Sequence, residues 1–276
     1  MNKFLVFACI LLLLLACENK KKPETIQQQV PVQSLTVPLK QLHYTIVNRY
    51  PHDEMAFTEG FLFHQGELYE STGSPDNLPQ TQSFIGIVDL KTGKINKKVE
   101  LDRAIYFGEG IAILNGKVYQ LTYKNKQGFL YDLKSFKKLG QFSYDNEEGW
   151  GMTTDGSSLI MSDGSSRLTY LDPFTMKPSK TLTVTENDTE TIHLNELEYI
   201  KGYIYANIWL TNYIVKIDPQ DGKVVAKLDL SNLMNEIKYT HPKASEMNGI
   251  AFNPANGHLY MTGKMWPTIY ELDIVE

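Results

Sequence analysis

Cysteine is nearly absent from this chain of 276 residues: there are two, Cys9 and Cys17, both close to the N-terminus. The rest of the chain therefore forms no disulfide, and its stability must come from a buried core. A basic excess is missing too. The 27 Lys and Arg are outnumbered by 32 Asp and Glu, giving a net charge of −5. With no basic patch, the composition argues against a nucleic-acid partner. The six histidines, at positions 43, 52, 64, 193, 241 and 258, show no metal-ligand spacing and read as turn or surface residues. No G-x-S-x-G surrounds the serines of the two "DGSS" segments, at Asp155 and Asp163, so a nucleophile elbow is excluded and turns are expected there. From Leu42 onward there is no sustained helical periodicity; one short helical turn is expected near "SNLMNEIKYTHP".

One long apolar run is present, Phe4 to Leu15, and it is too short to span a bilayer comfortably. Behind the single basic Lys3 it has the form of a secretory signal. It ends in "LLAC", which resembles the lipobox of bacterial lipoproteins, in which the cysteine is lipidated and becomes the new N-terminus. The expected product has residues 1–16 removed, a lipid anchor at Cys17 and a net charge of −6. It would be held at the bacterial cell envelope, facing the periplasm or the exterior. An ordinary signal peptide with a chance cysteine is the alternative. Residues 17–41 are polar and Gln-rich, punctuated by Pro23, Pro31 and Pro38, and read as an extended tether.

Residues 42–276 are long enough for one sizeable domain. They are short Val/Ile/Leu/Tyr-rich runs separated by Gly, Asp, Asn and Pro, an all-β pattern. The runs repeat: "EGFLFHQGELYESTG", "EGIAILNGKVYQLTY", "WGMTTDGSSLIMSDG", "NELEYIKGYIYANIW" and "NGIAFNPANGHLYMTGK" align. Each has a polar or aromatic leader, an apolar strand, a turn and a second strand. The leaders Glu59, Glu109, Trp150, Asn195 and Asn248 stand about 41 to 53 residues apart, the period of four-stranded β-propeller blades. The fifth repeat ends one strand short, and "LHYTIVNRY" near the other end of the chain is free to complete it, which would remove an open edge. The expected fold is a five-bladed β-propeller closed by an N-terminal strand. A β-sandwich would leave the five leaders unexplained.

In a propeller the first strand of each blade lines the central channel, so the five leaders should converge at its mouth. The ends of the second strands, Glu70, Tyr123, Asp163, Trp209 and Lys264, are expected beside them. Glycine follows the leader in four repeats, where strands crowd at the axis.

The segments "YPHDEMAFTEG", "YFGEGI", "GWGMTTDG", "LNELEYI", "ANIW", "NGIA" and "TGKMWP" occur in order through residues 42 to 272. They resemble the plant-type glutamine cyclotransferases and their bacterial relatives. The resemblance implies a five-bladed propeller that converts the N-terminal glutamine of peptides or proteins to pyroglutamate and releases ammonia, with no cofactor required. It places Glu109 on the catalytic carboxylate and Asn195 and Lys264 on its polar partners. Phe57, Phe107, Trp150 and Trp209 fall on pocket aromatics, and Glu59 and Asn248 complete the substrate-binding ring. Two positions depart from the family: Glu59 stands where it has glutamine, and Tyr123 where it has a pocket tryptophan.

Other readings stay open on the residues alone. Glu59, Glu109, Asn195 and Asn248 offer hard oxygen ligands around one axis, as a divalent ion in the channel or a Ca²⁺-dependent lactonase or esterase would need. Against this, Lys264 would repel the cation and Trp150 contributes no ligand. A tethered propeller that only binds a partner is the third reading. Asp53 is expected to organise the loop presenting Phe57, Trp266 to pack, and the protein to be a monomer.

Overall fold

The β-branched and aromatic runs form strands, and Gly, Asn and Asp make the turns between them. The computed structural model describes residues 38–275. The signal segment, Cys17 and most of the tether lie outside the described residues.

The chain begins with β1 (Lys40–Pro51). It continues through β2 (Phe57–His64), β3 (Glu67–Gly73), β4 (Phe84–Val88) and β5 (Ile95–Glu100), hydrogen-bonded in that order as a four-stranded sheet. A second such sheet holds β6 (Gly108–Leu114), β7 (Lys117–Thr122), β8 (Gln127–Asp132) and β9 (Lys138–Ser143). A third holds β10 (Met152–Thr154), β11 (Leu159–Met161), β12 (Arg167–Leu171) and β13 (Pro178–Thr183). A small ribbon, β14 (Thr185–Glu186) and β15 (Thr189–Glu190), follows. Then come β16 (Leu194–Ile200), β17 (Tyr203–Ile208), β18 (Tyr213–Ile217) and β19 (Val224–Asp229). The helix α1 (Ser231–Thr240) precedes β20 (Met247–Asn253), β21 (His258–Gly263) and β22 (Thr268–Val275). These last seven strands join β1 in one eight-stranded sheet, ordered β16-β17-β18-β19-β1-β22-β21-β20.

β1 runs antiparallel to β22 from His43 to Pro51, which supplies the fourth strand beside β20, β21 and β22. Its first residues, Lys40 to Leu42, instead pair in parallel with Ala226 to Leu228 of β19. β1 therefore takes in Lys40 and Gln41, two positions of the segment read from sequence as tether, because the edge of β19 is there to pair with them. The expected helical turn is α1, which buries Leu233, Met234 and Ile237 on one face.

The first strand of each four-strand set packs on the next: β2 on β6, β6 on β10, β10 on β16, β16 on β20, and β20 back on β2. These strands are almost wholly buried, and apolar layers fill the spaces between neighbouring sheets, such as Leu62, Tyr69, Ile85, Ile111, Val118 and Phe129. The glycines after the leaders sit where the strands approach. A Cβ on Gly110 would lie 2.4 Å from the backbone nitrogen of Met152, and one on Gly151 would lie 2.1 Å from the carbonyl oxygen of Asn195. In the fourth repeat the corresponding residue is Glu196. Its carboxylate oxygens accept from the backbone N–H groups of Phe61 (3.1 Å) and Ile250 (2.8 Å), linking β16 to β2 and β20.

Candidate active site

Four of the five leaders, Glu59, Glu109, Asn195 and Asn248, lie where the inner strands are bulged, and Trp150 stands just before β10. Pairing shifts register between Thr58 and Gly60, Gly108 and Ile111, Leu194 and Leu197, and Met247 and Ile250, so each bulge contains a leader. A bulge re-aims its side chain out of the strict alternation of the strand. Side chains of the second strands lock several of these positions. Ser71 Oγ donates to the carbonyl of Glu109 (2.6 Å), and Ser162 Oγ donates to the carbonyl of Asn195 (2.7 Å).

The site is a cavity of about 150 Å³ lined by Phe57, Glu59, Pro75, Phe107, Glu109, Tyr123, Trp150, Asn195, Trp209 and Lys264. The residues named from the sequence as catalytic or substrate-binding all line it except Asn248, the mouth residues Glu70 and Asp163 do not, and Pro75 is the residue that sequence reasoning missed. Pro75 lies beyond the aligned repeat, in the β3–β4 connection, where the pattern carries no information.

Asn248 sits behind the ring rather than on the cavity wall. It is fully buried, and its Nδ2 donates to Glu59 Oε2 (3.0 Å) and to the carbonyl of Thr58 (3.0 Å). Its contact with the site is therefore through Glu59. Glu70 and Asp163, expected near the mouth, are not among the lining residues. Glu70 faces His52, and Asp163 accepts from Asn146 Nδ2 (2.8 Å) and caps its own turn through Ser165.

The pairing explains this displacement. Thr72 pairs near the first bulge as Thr122 does in the second sheet and Gly263 in the last, so the next residues, Gly73, Tyr123 and Lys264, are equivalent. Trp209 holds that place after Ile208. Gly164 holds it in the third sheet, two residues after Ser162. A Cβ on Gly73 would lie 2.1 Å from the Phe107 ring, and one on Gly164 would lie 2.7 Å from the Trp150 ring. Three repeats thus supply a pocket side chain at this position. The other two supply glycine, and a neighbouring aromatic ring occupies the room.

The aromatic residues fall into two groups of contacting rings. Phe57 meets Phe107 edge-on at 6.0 Å, Phe107 meets Tyr123 at 5.7 Å, and Trp150 meets Trp209 edge-on at 5.4 Å. His193 stacks on the far side of Trp209 at 5.7 Å, and Glu148 accepts the Trp150 indole N–H at 2.8 Å. Asn195 is buried, and its Oδ1 has no hydrogen-bond partner among the described residues, which leaves bonding capacity unspent beside the cavity.

Three charged groups share the floor. Lys264 Nζ lies 2.9 Å from Glu59 Oε1 and 4.7 Å from the centre of the Phe57 ring. Burial raises the Glu59 pKa to about 7, against the lowering pull of the Lys264 ammonium. Burial also drives Glu109 well above the ordinary carboxylate range, and the charge of Glu59 adds to this. Burial works against the Lys264 charge, but the two carboxyl groups outweigh it and its pKa is raised. One ammonium faces two carboxyl groups, so the site is electrically neutral when Glu59 is ionised and Glu109 holds its proton. Among the described residues, no group of three or more His, Cys, Asp or Glu is placed to hold a metal ion.

The family model for glutamine cyclotransferase matches residues 10–274. The chain belongs to the glutamine cyclotransferase family. A glutaminyl-peptide cyclotransferase of Arabidopsis thaliana is 38% identical over 231 residues, covering 83% of this chain and 70% of the plant protein. The crystal structure of Myxococcus xanthus glutaminyl cyclase matches with a TM-score of 0.75 at 32% identity, over 87% of this chain and 100% of that one. Glu59 and Tyr123 are the two residues at which the resemblance led us to expect glutamine and tryptophan. Both line the cavity, Glu59 as the carboxylate that holds Lys264 and Tyr123 as part of the aromatic wall.

Proposed function

We propose that this chain is a glutaminyl-peptide cyclotransferase built as a five-bladed β-propeller, taking peptides or proteins with an N-terminal glutamine and releasing ammonia. The observation that carries the reading is the cavity in which Glu109, Asn195 and Lys264 meet under aromatic walls. At about 150 Å³ it is of a size for one side chain. Five sets of four strands, with first strands packed in a cycle, support the propeller.

The reaction joins the substrate's α-amine nitrogen to its own γ-carboxamide carbon and breaks the bond from that carbon to the amide nitrogen. One proton passes from the attacking to the leaving nitrogen. Glu109 is suited to move it: as a neutral acid, one oxygen gives its proton to the leaving nitrogen while the other accepts from the attacking one. The carboxyl group ends as it began, and such transfer is typically worth about 10²–10⁴ in rate. Lys264 spends one N–H on Glu59 and keeps two for the oxyanion that forms on the amide oxygen, with Asn195 as a second polar partner. The aromatic walls hold the glutamine stem bent toward attack. The extra carboxylate, Glu59, holds Lys264 in place and helps to keep Glu109 protonated.

From the sequence we further propose a monomer, needing no cofactor and tethered to the cell envelope through Cys17. The test is ammonia release and pyroglutamate formation from a Gln-initiated peptide, across pH and with and without chelator. Wild-type protein should turn over in both conditions, and Glu109→Gln protein should fold and release no ammonia. Wild-type turnover by the Glu109→Gln protein overturns the assignment.

A further inference from the structure

Outside the cavity, the described residues hold a charge pair with no exposure at either side chain: His52 Nε2 lies 3.0 Å from Glu70 Oε2 and 3.2 Å from Oε1. The other ring nitrogen, Nδ1, lies 2.8 Å from the carbonyl oxygen of Trp266, with Thr262 Oγ1 at 3.2 Å. A carbonyl can only accept, so Nδ1 carries a proton. Where Glu70 is the carboxylate it can only accept as well, so that Nε2 then carries a proton too and the ring is an imidazolium. Burial works against that charge, but the Glu70 carboxylate, by its charge and its hydrogen bond, outweighs burial and raises the His52 pKa. Asp53, the neighbouring residue, adds in the same direction.

The pair stands at the junction of the two elements that carry one wall of the site. Glu70 Oε1 also accepts from Thr58 Oγ1 (2.7 Å), the residue between Phe57 and Glu59 on β2. The Trp266 carbonyl belongs to the turn after β21 that bears Lys264. That turn is tied back to the His52 segment twice more, by Met265 N–H to the Ala56 carbonyl (2.7 Å) and by His52 N–H to the Pro267 carbonyl (2.9 Å). One ring thus grips, through its two nitrogens, both the strand that presents Phe57 and Glu59 and the turn that presents Lys264. These are the groups in contact across the cavity floor.

We propose that His52 and Glu70 are positioning residues of the site, a buried imidazolium–carboxylate pair that sets the Lys264 turn against the start of β2. The pair touches no substrate and acts through Lys264, Glu59 and Phe57. The kinetic consequence rests on the cyclotransferase reading; the positioning itself does not. A partnerless buried charge is expensive, so loss of one charge removes the reason for the other to stay. With Glu70→Gln the shape is kept and the ring goes neutral at neutral pH; the new amide can still donate to Nε2, so what is lost is the charge attraction that draws the Trp266 turn and β2 together.

The experiment compares wild-type, His52→Gln and Glu70→Gln full-length proteins at pH 6 to 9. Nitrogen-15 histidine spectra identify the His52 signals by their loss in His52→Gln. The expected wild-type result is two protonated ring nitrogens at pH 7, replaced by a neutral ring in Glu70→Gln. Amide exchange should quicken at least tenfold at Lys264 and Met265 in Glu70→Gln, with β8 and β9 unchanged. The kcat for a Gln-initiated peptide should fall at least tenfold, and the alkaline limb of its pH profile should move to lower pH by a unit or more. A neutral wild-type His52 at pH 7, or unchanged exchange at Lys264 and Met265 in Glu70→Gln, overturns the proposal. So does a wild-type kcat and pH profile in that variant. Altered exchange together with a wild-type protein that never releases ammonia would uphold the positioning and overturn the cyclotransferase reading instead.

Discussion

Lys264 and Glu59 face each other at 2.9 Å with both side chains nearly sealed from water, 8% and 3% exposed. Glu59 stands where the resemblance led us to expect glutamine, so here the lysine is held by a group that can carry charge, with a pKa raised by burial to about 7. Asn248 holds the other carboxylate oxygen of Glu59, and Glu109 shares the same floor. The charge state of each group therefore depends on the other two.

Replacing Glu59 by glutamine should keep a hydrogen-bond acceptor for Lys264 but remove a negative charge near Glu109. The Glu109 pKa should then fall toward the ordinary carboxylate range. In a profile of kcat/KM against pH, the limb belonging to Glu109 should move to lower pH in Glu59→Gln than in wild type. An unmoved limb would mean that the two carboxyl groups do not feel each other.

Lys264→Met should lower kcat by about 10²–10³, the usual effect of losing one oxyanion donor. It also strands Glu59 in a buried place without its cation. Breaking a buried pair costs about 3–5 kcal/mol when the remaining charge stays ionised. The loss of stability should thus be larger at pH 8, where Glu59 must ionise or carry its proton at a cost, than at pH 5. The double variant Glu59→Gln/Lys264→Met should recover much of the stability and none of the rate. Urea unfolding at the two pH values, beside turnover, checks both.

Wild-type stability should decline as pH rises from 5 to 8. Glu59 has a pKa of about 7 in the folded protein against 4.5 for an ordinary glutamate, so the folded state binds the proton more tightly. Its contribution is complete below about 4.5 and is lost as pH climbs through 7, at a slope of up to about 1.4 kcal/mol per pH unit. Glu109 and Glu196 are raised for the same reason, burial, and act with the same sign. The raised His52 pKa also favours the folded state at low pH and stops doing so as pH passes it. Thermal melts across this window should show the fall, and Glu59→Gln should flatten part of it.

Gly110→Ala should be destabilising by about 1–3 kcal/mol, the usual cost of overpacking. The added methyl would meet the backbone nitrogen of Met152 at 2.4 Å and the carbonyl of Trp150 at 2.6 Å, neither of which can swing away. Gly140→Ala, where nothing lies within 4 Å of the new methyl, is the control and should change the melting temperature little.

Much of the site was readable because the repeat is strong at the first strand. The leaders Glu59, Glu109, Trp150 and Asn195 line the cavity as their period implies. Asn248 has the same place in its strand, yet lies behind Glu59, since strand position fixes a backbone and not the depth of a side chain. The second strands misled at Glu70 and Asp163 because the aligned position holds glycine in those two repeats, and a glycine leaves no chemical signature to align. His52 read as a turn residue: its partners, Glu70 and the Trp266 carbonyl, lie 18 and 214 residues away, and no local pattern joins them. Tyr123, Trp209 and Lys264 were found because their side chains differ from the apolar strands they follow.

The pairing of β1 with β22 has a consequence for how the protein is made. Synthesis delivers Glu59 and Glu109 early and Lys264 almost last, and the strand that finishes the final sheet is among the first to emerge. A partly made chain would hold its carboxyl groups without their lysine and β1 without its partner β22. Contacts between such distant segments form slowly. The pocket therefore comes into being only when β22 has been made and has paired with β1, so an unfinished molecule is also an inactive one.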